Sequence, residues 1–144
     1  MTHIRQLLKN KGTAVWSTSP DVSVYDALLL LAEKNIGALP VLQDGELVGI
    51  FSERDYARKV VLHGKTSMET SVQEIMVENV ITAGPQMAVE DAMALMTAKR
   101  IRHLPVIEET KIVGMISIGD LVKSIIADKE FTINQLENYI RGGA

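Results

Sequence analysis

One stretch of this chain occurs twice. Pro20-Asp-Val-Ser-Val-Tyr-Asp-Ala-Leu-Leu-Leu-Leu aligns without a gap on Pro85-Gln-Met-Ala-Val-Glu-Asp-Ala-Met-Ala-Leu-Met at an offset of 65 residues. The same offset pairs Lys34 with Lys99, Ile36 with Ile101, and Leu39-Pro40-Val41 with Leu104-Pro105-Val106. It goes on to pair Val48-Gly49 with Val113-Gly114, Ser52 with Ser117, and Asp55 with Asp120. From Pro20 to Tyr56, 14 of 37 positions are identical, too many for chance. The chain therefore consists of two copies of one unit, and whatever architecture suits one copy must suit the other.

Each copy changes its hydrophobic period in the same order. In the first, Val24, Ala27, Leu28, Leu31 and Ala32 recur at helical spacing behind a capping Ser23, with Asp26 in the first turn. Asn35-Ile36-Gly37 closes that helix. Ala38 to Leu42 and Leu47 to Phe51 read as two short strands joined by the turn Gln43-Asp44-Gly45-Glu46, and a second helix runs from about Ser52 to Leu62. The second copy predicts a helix from Ala88 to Arg100, strands at His103–Ile107 and Ile112–Ile116, and a helix from Ile118 to about Asp128. Val15-Trp16-Ser17 and Val80-Ile81-Thr82 read as leading strands, giving β-α-β-β-α in each copy. Gly64 to Thr70 is the expected linker, after which Ser71-Val-Gln-Glu74 has capping-box spacing. Thr132 to Gln135 has it too, ahead of an apolar stripe of Ile133, Leu136, Tyr139 and Ile140 on a final helix. That stripe either folds back on its own subunit or packs on a second copy of the chain.

The expected boundaries are 8–64 for the first unit, 72–130 for the second and 131–144 for the C-terminal helix. A three-stranded sheet with two helices on one face is small for independent folding, so the two copies are expected to pack through their sheets as one α/β (α+β) body.

Composition narrows the chemistry. The 144 residues include no cysteine, which removes thiolate catalysis, disulfides and Cys-type zinc or iron–sulfur sites, and fits a reducing cytoplasm. The three histidines, His3, His63 and His103, are not spaced as metal ligands, so no metal site is expected. A net charge of −3 and 4% aromatic residues argue against a general nucleic-acid binder. The longest apolar run, Ala27 to Ala32, is far short of the roughly 20 residues of a membrane span, and the first residues lack a secretory pattern. The basic run Arg54, Arg58, Lys59, His63 and Lys65 reads as a solvated face. Met87, Met93 and Met96 read as core filler.

The residues that carry chemistry are Gly49-Ile-Phe-Ser52-Glu-Arg-Asp55 and Gly114-Met-Ile-Ser117-Ile-Gly-Asp120. Each lies where a strand turns into a helix, so backbone N–H groups and the positive helix end face outward, a seat for phosphate. The Ser hydroxyl can donate to phosphate, and an Asp three residues on can accept both hydroxyls of a ribose. Plain capping explains Ser or Asp separately, whereas ligand binding explains the Gly, Ser and Asp spacing in both copies. A nucleophile elbow is excluded because Met115 lies two residues before Ser117.

The Pro20/Pro85 openings, the Ile36-Gly-Ala-Leu-Pro-Val41 and Ile101-Arg-His-Leu-Pro-Val106 strands, and the two Gly-x-x-Ser-x-x-Asp motifs together resemble the tandem cystathionine β-synthase (CBS) domain pair, or Bateman module. The likeness covers nearly the whole chain, and the Ser-Glu-Arg-Asp-Tyr and Ser-Ile-Gly-Asp-Leu-Val-Lys wording is similar to free-standing bacterial CBS-pair proteins. It implies a pseudo-twofold pair of units with two clefts that take AMP, ADP, ATP, NAD(H) or S-adenosylmethionine. By that resemblance Asp55 and Asp120 take the ribose, Ser52 and Ser117 the phosphate end, and the backbone at Ala38-Leu39 and His103-Leu104 the adenine. Thr18 helps close the first cleft. The copies differ at Gly37-Ala38 against Arg102-His103, and at Arg54 against Gly119. Arg102 and His103 supply positive charge for phosphate oxygens, or serve only as a surface ion-pair partner and a strand residue.

The expected function is an adenine-nucleotide sensor, not an enzyme. It would act as a homodimer and signal its occupancy to an unidentified regulated protein. The alternative is a nucleic-acid-associated or purely structural dimerisation protein. An enzyme ranks last, since the chain has no His–carboxylate pair at useful spacing, no P-loop and no dinucleotide glycine motif.

Overall fold

Each copy is built on a two-stranded antiparallel hairpin: β1 (Ala38–Gln43) with β2 (Glu46–Ser52), and β3 (His103–Glu108) with β4 (Lys111–Ser117). The structure is a computed structural model that describes residues 2–12 and 14–142. The expected leading strands are reduced to single parallel bridges, Thr18 to Val41 and Ala83 to Val106. Prolines are the reason. Thr18 N donates to Pro40 O at 3.1 Å and Leu42 N to Thr18 O at 2.8 Å, and Ala83 repeats this with Pro105 O and Ile107 N at 3.0 and 2.9 Å. Extending either ladder would next require N–H groups of Pro40 and Pro20, or of Pro105 and Pro85, which have none.

The first hairpin turns through Asp44 and Gly45, both at positive φ (53° and 82°), the Asp-Gly signature of a tight two-residue turn. The second makes the same turn with Glu109 and Thr110 at 50° and 67°. Helix ends repeat as well. α2 (Val24–Lys34) is capped by Ser23, whose hydroxyl accepts from Asp26 N, and α5 (Val89–Lys99) has Ala88 at that place with no side-chain cap. Both helices stop on a left-handed residue, Asn35 at φ 54° and Arg100 at φ 55°.

The described residues group into two compact units. One takes in 14–81 with 109–113, and the other the described residues of 1–13, 82–108 and 114–144. The first unit holds α2, β1, β2, α3 (Glu53–Lys59), a 3-10 turn at Val61–His63, and α4 (Val72–Ile75). Its core is Val24, Ala27 and Leu31 of α2 against Leu39, Val41, Phe51, Val60, Val72 and Ile75. The second unit buries Ile4, Leu7 and Leu8 of α1 (Ile4–Lys11), Val89, Ala92 and Met96 of α5, and Leu104, Val106, Ile116 and Leu121.

Two helices dock on the copy they do not adjoin in the repeat. α4 precedes the second copy in sequence but docks on the first, where Val72 N donates to Val22 O and Gln73 N to Pro20 O. α1 precedes the first copy but docks on the second through the matching bonds, Ile4 N to Met87 O and Arg5 N to Pro85 O, each 2.9 Å. The motif glycines make room for these helices. A Cβ on Gly49 would lie 2.6 Å from Met76 Sδ, and one on Gly114 2.5 Å from Leu8 Cδ2.

α6 runs unbroken from Ile118 to Ile140, so the expected stop near Asp128 and fresh start at Thr132 do not occur. No Gly or Pro interrupts Asp128 to Leu136, and the Thr132 hydroxyl donates back to Asp128 O at 3.0 Å instead of capping a new helix. Positions 143 and 144 of the expected terminal helix lie outside the described residues.

Candidate functional site

Both Ser-x-x-Asp turns are reciprocal capping boxes. In the first unit Ser52 N and Ser52 Oγ both donate to Asp55 Oδ2 at 3.0 Å, and Asp55 N donates to Ser52 Oγ. In the second, Ser117 N donates to Asp120 Oδ2 at 2.9 Å and Asp120 N to Ser117 Oγ at 3.1 Å. Capping is therefore a real part of the motif, and what separates the copies is what else each carboxylate meets.

Asp55 is buried and fully engaged. Its second oxygen lies 3.2 Å from Lys59 Nζ, one turn along the same helix, and Lys59 also donates to Ile75 O at 2.9 Å. Lys59 thus ties α3 to α4, whereas the sequence placed it on a solvated face. Beside this turn, Gly37 O accepts from Glu53 N at 3.1 Å and Ala38 pairs with Ser52 across the hairpin. Ala38 and Leu39 bury their side chains, so only their backbone can meet a ligand. Thr18 is half-buried, and Arg54 is exposed on α3.

Asp120 is more open. Its side chain is 20% exposed against 12% for Asp55, and its partner is Lys11, from the last turn of α1. Lys11 Nζ donates to Asp120 Oδ2 and to Met115 O, both at 2.6 Å. Burial works against the charge on Asp120, but the bonds from Lys11 and Ser117 outweigh it and hold the carboxyl below its ordinary pKa. The pair opens on a cavity of about 960 Å³, all within the second unit, lined by α1 and α6 and carrying Gln6, Asn10, Lys123 and Ser124 among its walls.

Arg102 and His103 belong to the same neighbourhood. Arg102 O accepts from Ile118 N at 3.1 Å, the counterpart of the Gly37–Glu53 bond. His103 is half-buried and its pKa is pushed down, first by burial, then by Lys11 and Arg102, against the opposing pull of Asp120. Leu104 is wholly buried. The structure therefore gathers Gly37, Ala38, Ser52 and Asp55 in one unit and Arg102, His103, Ser117 and Asp120 in the other. Lys11 was missed because it lies ahead of the duplicated stretch, where the repeat gives no signal. Among the described residues no three His, Asp or Glu side chains gather as a metal site requires.

A duplicated hairpin-and-helix unit with a capped Asp at each strand-to-helix turn defines a tandem-repeat domain pair. The chain belongs to the CBS-domain family, whose model matches residues 13–62 and 72–127. It is 41% identical to the mitochondrial CBS domain-containing protein CBSX3 of Arabidopsis thaliana, over 99% of this chain and 73% of that one. Among solved structures, a protein with CBS domains from Burkholderia ambifaria MC40-6 is 48% identical with a TM-score of 0.85, covering 88% of this chain and 96% of its own. The CBS domain pair of protein MJ0100, solved with 5′-methylthioadenosine and S-adenosylmethionine, is 25% identical with a TM-score of 0.76, over 89% and 98% of the two chains. No helix among the described residues is long and apolar enough to cross a membrane.

Proposed function

We propose that this protein is a regulatory module that binds an adenosine-containing ligand, AMP, ADP, ATP or NAD(H), and passes its occupancy to a partner protein without chemistry of its own. The observation that carries this is Asp120: a carboxylate held charged at the first turn of a 23-residue helix, facing a roomy cavity lined by Lys11 and Lys123. Such a carboxylate accepts from the two hydroxyls of a ribose, while the cations suit a phosphate. The two ligands of the MJ0100 pair share the adenosine that this requires. Ser117, Arg102, His103 and Leu104 complete this set. Thr18, Gly37, Ala38, Leu39, Ser52, Arg54 and Asp55 form the corresponding set of the first unit, with Asp55 already committed to Lys59. The absence of cysteine suits a reducing compartment such as the cytoplasm.

The same reading has the chain act as a homodimer. Val122, Ile126, Ile133, Leu136 and Ile140 are exposed along α6 at alternating four- and three-residue steps once Lys129 is counted, a seam for another helix. A second α6 laid antiparallel brings the apolar positions of the two copies together.

Calorimetric titration with AMP, ATP, NAD⁺, NADH and S-adenosylmethionine tests the proposal, with sedimentation of the same sample to read its mass. At least one ligand should bind, and Asp120→Ala should weaken it by about 1.5–3 kcal/mol, the worth of hydrogen bonds to a charged acceptor. No heat with any of them overturns the sensor reading in favour of a structural protein. A monomer mass removes the homodimer.

A further inference from the structure

The two motif aspartates are neutralised in different ways, and the difference carries a consequence for ligand choice. Lys59 reaches Asp55 from one turn along its own helix and is held there by its bond to Ile75 O, beside a carboxylate that is already buried. Lys11 reaches Asp120 from α1, which is fastened at its other end by Ile4 N to Met87 O, by the Arg5–Glu108 ion pair and, just ahead of it, by Thr2 Oγ1 to Asp128 Oδ1 at 2.9 Å. Lys11 Nζ and Ser117 N both occupy Oδ2 of Asp120. Two vicinal hydroxyls that grip the carboxylate with both oxygens compete with the ammonium for that oxygen. A lysine is suited to give way, since its charge rides on a flexible four-carbon stem with three rotatable donors. Its side chain is 40% exposed and the cavity beside it is open, so the ammonium has somewhere to go.

We propose that Lys11 is a displaceable latch: it holds Asp120 when no diol is bound, and on binding it transfers to the anionic group of the ligand. This rests on the ribose role given to Asp120 above and adds the discrimination that role lacks. Without Lys11 the diol contact is the same for a nucleoside and its phosphate ester. With it, a bare nucleoside breaks the Lys11–Asp120 pair and gives the ammonium nothing in return, whereas a nucleotide supplies a new counter-charge. Lys123 on the same cavity wall adds to the attraction but makes no bond to Asp120 that would be broken.

Calorimetric titration of the full chain with AMP and with adenosine tests this, comparing wild type with Lys11→Met and Lys11→Arg. Lys11→Met should lower the ratio of AMP to adenosine affinity at least tenfold, with adenosine bound more tightly than by wild type, because the competing charge is gone and the phosphate has lost its partner. Lys11→Arg should keep the preference for AMP. An equal loss for both ligands, or no change in either, in a Lys11→Met protein that melts like wild type overturns the latch and leaves the sensor reading standing. A Lys11→Arg protein that behaves like Lys11→Met also overturns it. A wild-type protein that binds neither AMP nor adenosine overturns the latch, and the sensor reading falls with it only when ATP, NAD⁺, NADH and S-adenosylmethionine fail to bind as well.

Discussion

Gly49 and Gly114 occupy the same place in the repeat and invite the same reading as ligand-side glycines, yet each is buried beneath a docked helix. Their surroundings are unequal. A methyl on Gly49 would meet Met76 Sδ at 2.6 Å and also the backbone oxygen of Val77 at 3.0 Å. That oxygen is pinned, because Ile50 and Val77 exchange N–H···O bonds of 3.0 and 2.9 Å. The three atoms nearest a methyl on Gly114 all belong to the Leu8 side chain. Overpacking where backbone must yield costs about 1–3 kcal/mol, and less where a side chain can turn aside. Urea denaturation should therefore find Gly49→Ala more destabilising than Gly114→Ala. Leu8→Ala should absorb most of the Gly114→Ala penalty in a double-mutant cycle, and Met76→Ala little of the Gly49→Ala penalty. Equal single-site penalties would mean that the glycines serve something other than helix docking.

Among the elements, the hairpins and the helices behind them were legible because the duplication reports each one twice. Ser23, Asp26 and Asn35 mark α2 by their chemistry, and the weaker signals of α5, where Ala88 and Arg100 stand at the same places, are recovered by alignment. The leading strands were misread because local β-propensity at Val15-Trp16 says nothing about whether the facing strand has N–H groups to offer. The docking of α1 and α4 was invisible for a related reason: it depends on backbone bonds to Met87, Pro85, Val22 and Pro20, which leave no trace in side-chain identity. The split of α6 was a propensity error, since Thr132 satisfies itself within a continuing helix. Of the site, the motif aspartates could be found by spacing and Lys11 could not. Alignment also exposes a weak element. Glu109-Thr110 makes with two side chains the turn that Asp44-Gly45 makes with a glycine, and a β-branched Thr at φ 67° is strained. Replacing the pair with Asn-Gly should stabilise the fold by about 1 kcal/mol and raise the melting temperature by roughly 3 °C. A lower melting temperature would show that Glu109 or Thr110 holds a contact worth more than the strain.

For the whole molecule, the groups around Asp120 make stability depend on pH in two separate windows. His103 faces Lys11 from α1, Asp120 from α6 and Arg102 just ahead of its own strand, and burial, with Lys11 and Arg102, pushes its pKa below the ordinary value against the pull of Asp120. With the folded pKa depressed, folded and unfolded chains are both neutral at this site above about pH 6.5, and stability is then fully present. As pH falls from there the unfolded chain takes up the proton first, so stability declines until the folded imidazole is protonated too. Asp120, also depressed, adds its own loss only as pH falls below about 4, through its folded pKa. Thermal melts between pH 7.5 and 4.5 should therefore show a decline that His103→Gln flattens and Asp120→Asn does not. Lys11→Met should shrink the same decline, because one of the charges that holds the imidazole neutral has been removed. A His103→Gln profile parallel to that of wild type would place the depressed titration elsewhere. Since Lys11 enters both this decline and the choice between nucleoside and nucleotide, a ligand that draws its ammonium away from Asp120 should also shift the His103 titration. Proton resonance of the imidazole during an AMP titration is a direct check, and a His103 pKa unmoved by saturating AMP would mean that Lys11 stays where the unliganded structure has it.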